Sequence, residues 1–185
     1  LIEDINNADT SILSNITTVR MYKYFTPTLN SGIKYTLSYN NALYNPHSGH
    51  NSSGGGVISS SGFKVNNDSS LNEHFLDDDG AGNLRLYYLS GTTRVYTDTT
   101  YGTVNYTTGE VVLTSAHITS ISNVDGATST QVRVFATPSS NDVVPVRNQV
   151  LSIDTSNSTI TGEVDGIESG SSQAGTTYTT TSSYS

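Results

Sequence analysis

The sequence contains no cysteine and no tryptophan, and it has few cations. Without cysteine there is no disulfide, no zinc–thiolate site and no thiol nucleophile, although the redox compartment stays open. Only 8 residues are Lys or Arg, and the formal net charge is −8. A protein that grips phosphate backbones needs clustered cations, so neither nucleic acid nor an anionic membrane surface is an expected partner.

Long apolar runs and charged side chains are scarce as well. No apolar run approaches the ~18 residues of a transmembrane helix, and no signal peptide is visible. The hydrophobic fraction is 34% and the charged fraction 13%, against roughly 25% charged residues in an average soluble domain. Ser, Thr, Asn and Gly fill most other positions. This composition is typical of a β-rich extracellular or structural module.

Alternating patterns predict a mainly β (α+β) fold of antiparallel hairpins and meanders. The clearest is a hairpin over 100–113, in which Val104 and Tyr106 alternate with polar residues and Gly109 supplies the positive φ of a tight turn. The spacing of strands and turns from about 75 to 113 predicts a meander. Further strands are predicted at 17–25, 32–40, 117–124 and 131–136, with an extended edge segment at 143–153.

The chain is expected to divide into four parts. Isoleucines at helical spacing near the start predict an N-terminal helix, either complete or the end of a longer helical region. The chain begins with Leu1 rather than Met, so we expect a fragment or a processed product. Beyond about residue 160 there are almost no aliphatic residues, so we expect an extended tail that is flexible alone and lies against a partner chain. The predicted parts are a helix at 1–16, a β-rich domain at 17–114, a second small β-rich unit at 115–160 and the tail at 161–185.

The densest group of carboxylates lies in the acidic turn 77–83, Asp-Asp-Asp-Gly-Ala-Gly-Asn. An EF-hand loop needs oxygen ligands at positions 1, 3 and 5, Gly at 6 and Glu at 12. With Gly80 at the glycine position, Phe75 and Leu86 occupy the first and last ligand positions, so the ligand set fails. A hairpin turn in which Asp, Gly and Asn serve backbone geometry is the favoured interpretation. A surface divalent ion at Asp77–Asp79 is the alternative.

The histidines offer no assignable site. His47 and His50 lie three apart in a predicted loop, and a metal site would need further ligands that the sequence does not place, so we interpret them as solvated loop histidines. His74 and His117 lie elsewhere in the chain. Several of the 12 tyrosines occupy alternating strand positions, which favours core and cross-strand packing over a sugar-binding or protein-binding face.

Motifs of known catalytic chemistry are missing. The sequence has neither a Gly-x-Ser-x-Gly nucleophile elbow nor a phosphate-binding loop. Its carboxylates are too few and too scattered to nominate an acid–base pair. We therefore assign no catalytic, cofactor-binding or metal-binding residue, and the chain is predicted not to be an enzyme.

Four stretches carry a resemblance to a known family. They are Ser-Asn-Asp-Val-Val-Pro-Val-Arg-Asn-Gln-Val-Leu-Ser-Ile-Asp at 140–154, Asp-Thr-Ser-Ile-Leu at 9–13, Tyr-Lys-Tyr-Phe-Thr-Pro at 22–27 and Gly-Thr-Val-Asn-Tyr-Thr-Thr-Gly at 102–109. In these stretches the chain resembles the baseplate wedge proteins of T-even-like contractile-tailed phages, within the wider J-like baseplate family. The resemblance spans most of the chain and corresponds to the C-terminal portion of those proteins.

The resemblance implies a non-enzymatic component of the virion, located in the phage tail baseplate. In that family two copies associate with another wedge subunit, and their C-terminal regions join neighbouring wedges into a ring around the tail hub. The implied partners are a second copy of the chain, in homodimer contacts, and other wedge and hub proteins. No cofactor or small-molecule substrate is expected. The alternative is a monomeric extracellular β-module that binds carbohydrate through exposed Tyr and Asn, and a hydrolase is a third reading that the missing motifs disfavour.

Overall fold

The computed structural model describes residues 3, 6–10, 12–13, 15–16, 18–53, 56–140, 159 and 161–162. Among these residues there are nine β-strands, and helical conformation is confined to Glu3 and Asn6. The fold is therefore mainly β, as the alternating patterns predict. The strands are β1 (Met21–Phe25), β2 (Gly32–Ser38), β3 (Ile58–Ser60), β4 (Phe63–Val65), β5 (His74–Asp78), β6 (Asn83–Ser90), β7 (Thr93–Asn105), β8 (Glu110–Ile121) and β9 (Val132–Ala136).

The described strands form two sheets in which every pairing is antiparallel. The smaller sheet has the order β1-β9-β3, with β9 in the middle. The larger has the order β2-β8-β4-β5-β6-β7, and β7 also pairs with β8. That additional pairing closes β4 to β8 into a ring, while β2 extends the sheet from β8.

Side-chain alternation in β9 shows how both sheets share one core. Val132, Val134 and Ala136 point inward and are fully buried, whereas Arg133 and Phe135 point to the outer face. The inward residues belong to the same hydrophobic cluster as the buried residues of the larger sheet. A continuous core of this kind fixes the register, because a shift by one residue would reverse the two faces.

A β-bulge keeps the long strand β8 in register with this core. Ile33 pairs with Ala116 and Tyr35 with Leu113, so two residues of β8 face only Lys34 in β2. These two residues of β8, Thr114 and Ser115, are both exposed. The strand thereby returns Ala116 to the core after Leu113, and both are fully buried.

The hairpin predicted over 100–113 and the meander predicted from about 75 to 113 are confirmed by the pairing of β5 to β8. Gly109 closes the hairpin turn with φ of 71°, a value that favours glycine. Its amide donates to the carbonyl of Asn105 at 2.9 Å. The Asn105 side chain also accepts from the amides of Thr107 and Thr108, both at 3.1 Å. The turn is thus set by local sequence.

The N-terminal helix predicted over 1–16 is not seen among the described residues. One helical hydrogen bond is present, from the amide of Asn7 to the carbonyl of Glu3 at 2.9 Å. Leu13 and Ile16, which the helical spacing assigns to an apolar face, are 77% and 99% exposed. A short helix is marginal unless an apolar face packs against the protein, and these side chains provide no such packing. Residues 1–2, 4–5, 11 and 14 lie outside the described ones.

The predicted division into β-rich units at 17–114 and 115–160 is not followed by the strands. The boundary falls inside β8, which pairs with β2 and β7 near its start and with β4 near its end. Strand β9, from the predicted second unit, pairs with β1 and β3. Residues Leu1–Val146 form one compact unit and Arg147–Ser185 a second.

Of the second compact unit, only residues 159 and 161–162 are described. The tail predicted at 161–185 therefore lies almost entirely outside the described residues. The edge segment predicted at 143–153 lies outside them completely.

Gly102 lies where β6, β7 and β8 meet, opposite Leu84 on one side and Leu113 on the other. A Cβ atom at this position would collide with the backbone carbonyl of Val112. We expect Gly102→Ala to lower the free energy of unfolding by about 1–3 kcal/mol, the usual cost of overpacking. Urea denaturation measures this loss of free energy of unfolding. Thr103→Ala at the next, exposed position is the control and should cost less than about 1 kcal/mol; equal losses would contradict the close approach.

Candidate functional site

The three carboxylates of the acidic turn 77–83 lie in three different positions. Asp77 and Asp78 are the last residues of β5, and both are buried. Because side chains alternate along a strand, they lie on opposite faces of it. Asp79 begins the turn itself and is partly exposed. The three carboxylates therefore do not converge on one point.

Asp79 has the role that the sequence assigns to the whole turn. One of its oxygens accepts from the amides of Ala81 at 2.8 Å and Asn83 at 3.0 Å, and the other accepts from the Asn83 side chain at 2.6 Å. Burial alone would raise the pKa of Asp79, but these hydrogen bonds outweigh it and lower the pKa below its ordinary value. The side chain thereby replaces backbone hydrogen bonds that the turn lacks.

Asp77 is the centre of a charged cluster on the outer face of β5, β6 and β7. Its carboxylate accepts hydrogen bonds from Nε of Arg85 at 2.9 Å, from Nη1 of Arg94 at 2.6 Å and from the hydroxyl of Tyr96 at 2.9 Å. We call these four residues the Asp77 cluster. The carboxylate and Arg85 are almost completely buried, whereas Arg94 is about one third exposed. A buried ion pair needs such additional donors to offset the loss of hydration.

The remaining donors of Arg85 connect the Asp77 cluster to a distant loop. Nη1 donates to the carbonyl of Ser52 at 2.6 Å, and Nη2 donates to the backbone carbonyl of Asp78 at 2.8 Å. The guanidinium also lies over the ring of Tyr96, 4.3 Å from its centroid. A single side chain thus joins the loop after β2 to three strands of the larger sheet.

Asp78 makes the corresponding connections on the inner face. It accepts from the amide of Ile58 at 2.8 Å and from the hydroxyl of Tyr106 at 2.6 Å. Burial and the hydrogen bond to this carboxylate raise the pKa of Tyr106 well above its ordinary value. A Cβ atom at Gly56 would collide with the Asp78 carboxylate, so the approach of this segment requires glycine. Asp78 therefore joins the smaller sheet to the β7–β8 hairpin.

Aromatic side chains gather on the outer face of the three-stranded sheet. Tyr22 pairs with Phe135 and Tyr24 pairs with Arg133 across β1 and β9. The Arg133 guanidinium lies 5.5 Å, 5.6 Å and 5.8 Å from the ring centroids of Tyr22, Tyr24 and Phe135. It also donates to the Asp125 carboxylate at 3.0 Å. We call Tyr22, Tyr24, Arg133 and Phe135 the aromatic face.

Strand β1, which carries part of this face, and strand β2, in the larger sheet, each pair along one edge only within the described residues. β1 pairs with β9, and β2 pairs with β8. Two exposed apolar side chains lie on or next to β2 in the chain, Leu29 in the segment between β1 and β2 and Ile33 in β2 itself. An edge strand has unpaired backbone groups to which another chain can add a strand.

A shallow, open groove of ≈ 580 Å³ lies on another part of the molecule. It is lined by the turn 80–82, by the tip of the β7–β8 hairpin and by Ala42, Leu43, Asn45 and Ser48. Asn45 donates from Nδ2 to the carbonyl of Gly80 at 3.2 Å. Its Oδ1 is buried and accepts no hydrogen bond from the described residues.

The structure places the four histidines in three environments. His47 and His50 meet in the loop after β2, with ring centroids 5.0 Å apart. His74 is fully buried in β5, with Nδ1 3.1 Å from the carbonyl of Asn72. His117 is partly buried in β8. In the part of the chain that the structure describes, no group of three or more His, Asp or Glu is arranged to hold a metal ion.

Comparisons with known proteins add no functional assignment. The chain matches no family model, no curated protein and no solved structure. Within the described ranges, no helix is long and apolar enough to cross a membrane.

Asp77→Asn would leave Arg85 and Arg94 without their carboxylate. Because Asp77 and Arg85 are buried, we expect the substitution to lower the free energy of unfolding by about 3–5 kcal/mol. Asp125→Asn is the matched control, since the Asp125 side chain is 61% exposed in its ion pair with Arg133, and it should cost less than about 1 kcal/mol. Urea denaturation of both variants decides the matter, and comparable losses would contradict the structural role of the cluster.

The buried tyrosines predict that stability falls at alkaline pH. Burial raises the pKa of Tyr101 from 10.0 to about 12, with a further contribution from Asp98, and burial also raises the pKa of Tyr39. Above pH ~10 the unfolded chain loses phenolic protons that the folded chain retains, so each tyrosine lowers the free energy of unfolding by about 1.4 kcal/mol per pH unit. Below that pH neither contributes a slope.

Urea denaturation between about pH 9 and pH 12 measures this dependence. Tyr101→Phe removes one titrating group and should make the slope smaller. A free energy of unfolding that stayed constant over this range would contradict the burial of both phenols.

Proposed function

We propose that the chain is a structural, non-enzymatic virion protein of a contractile phage tail baseplate that joins wedges through contacts with further copies of itself and with other wedge and hub subunits. The phage context rests on the four stretches that resemble baseplate wedge proteins. The contact function rests on the aromatic face, which β1 and β9 carry, and on β1 and β2, which each pair along one edge only within the described residues.

The composition of the aromatic face supports a protein contact. Tyr and Arg are enriched among the residues that contribute most to binding at protein interfaces. Tyr24 is 46% exposed, so it has apolar area to bury against a partner. Arg133 is already held by three rings and by Asp125, and an ordered side chain loses little conformational entropy on binding.

The neighbouring strands support a contact that includes backbone hydrogen bonds. β1 and β2 are edge strands within the described residues, and strand addition at such an edge satisfies backbone groups across two chains. Each strand has an exposed lysine, Lys23 in β1 and Lys34 in β2. Exposed lysines on edge strands oppose indiscriminate pairing, so the added strand must supply complementary charge.

Sedimentation velocity of the full chain tests the contact, with Tyr24→Ser as the variant. We expect the wild-type chain to self-associate and the variant to do so at least about tenfold more weakly, the effect of losing about 1.4 kcal/mol or more at an interface. Tyr44→Ser is the matched control, because Tyr44 is 43% exposed but its ring contacts His50 in the loop after β2. It should leave self-association unchanged.

A second function uses the same surface. The exposed ring of Tyr24 lies beside the Arg133–Asp125 ion pair, and a flat ring with adjacent charged groups also fits a sugar. A carbohydrate-binding module would stay monomeric and would bind a glycan, and Tyr24→Ser would abolish that binding. A monomeric wild-type chain with this glycan-binding pattern would overturn the assembly proposal.

A further inference from the structure

We propose that His47 and His50 form a two-histidine binding site for a divalent transition-metal ion of the zinc, nickel or copper class. Nδ1 of His50 lies 3.3 Å from Nε2 of His47. Two imidazole nitrogens bound to a tetrahedral ion at ~2.0–2.1 Å are themselves roughly 3.3 Å apart. The two rings already have the nitrogen separation that such an ion requires.

The tautomer of His47 places a lone pair at this point. Nδ1 of His47 lies 3.2 Å from the backbone carbonyl of Ser48. A carbonyl only accepts hydrogen bonds, so Nδ1 has the proton and Nε2 has the free lone pair. Metal-binding histidines usually make this second hydrogen bond, which fixes their ring orientation and tautomer.

His50 completes the pair by a change of tautomer. In the metal-free chain its Nδ1 donates to the lone pair of His47, because two lone pairs would otherwise face each other. On binding, the Nδ1 proton is lost to water and Nε2 takes one up, so the neutral ring presents a lone pair at Nδ1. The exchange conserves protons and needs no other reactant.

The loop holds both rings in place before an ion arrives. The amide of His50 donates to the carbonyl of His47 at 3.1 Å, and the amide of Gly49 donates to the carbonyl of Gly80 at 3.0 Å. The ring of Tyr44 contacts that of His50 edge-on, with centroids 5.3 Å apart. Because this arrangement is preformed, binding costs little ordering of the loop.

The ligand set determines which ions bind. Imidazole nitrogen suits zinc, nickel and copper, whereas calcium and magnesium prefer oxygen ligands. In the described part of the chain no third His, Asp or Glu joins the pair. Water therefore completes the coordination sphere, and the site is open on its outer side.

Calorimetric titration of the untagged full chain with zinc chloride, followed by NMR of the histidine ring protons, tests the site. We expect one zinc ion per chain, with shifts at His47 and His50. His50→Ala and His47→Ala should each weaken zinc binding about tenfold or more. His117→Ala, which removes a histidine of β8, is the control and should leave the affinity unchanged.

Three results would overturn the proposal. They are absence of zinc binding to the wild-type chain, zinc binding that survives both loop substitutions, and calcium binding of equal strength. Far-ultraviolet circular dichroism shows whether each variant is folded. We expect both loop variants to fold, because the loop is accessible to solvent. Weaker zinc binding in both folded variants, with no change in His117→Ala, supports the site.

Discussion

The two buried carboxylates at the end of β5 are the constraint on which the rest of the structure depends. Asp77 holds two arginines and a tyrosine on one face of the strand. Asp78 receives the Ile58 amide and the Tyr106 hydroxyl on the other. One short strand thereby joins the smaller sheet, the loop after β2 and the long hairpin. In a chain with only 13% charged residues, these charges stabilise the interior.

The parts that could be predicted from the sequence are those formed by neighbouring residues. The β7–β8 hairpin follows from its alternation and from Gly109. The three-stranded sheet could not be found in this way, because it pairs Met21 with Ala136, and no local pattern encodes such a distant partner. The predicted boundary at 114/115 separates strands that pair with each other, since β9 completes a sheet that begins with β1.

The Asp77 cluster could be predicted from the sequence only in part. Asp77 and Arg85 pair across the β5–β6 hairpin, so their contact could have been inferred once β5 was extended to Asp78. Arg94 and Tyr106 reach the two carboxylates through the register of β7 and the turn that follows it, which depends on bulges that the sequence does not reveal. The carboxylates of Asp77 and Asp78 are buried and bind partners inside the fold. The aromatic face is the surface that we propose for assembly.

Hydrogen exchange of the full chain, measured by mass spectrometry on dilute and on associated samples, tests most directly whether the aromatic face and its edge strands form the assembly surface. Association should protect the amides of β1 and β2, which pair along one edge only within the described residues. The loop at 44–53 should exchange equally in both samples. Protection confined to that loop, or no change at β1 and β2 in a sample that has associated, would contradict the assignment.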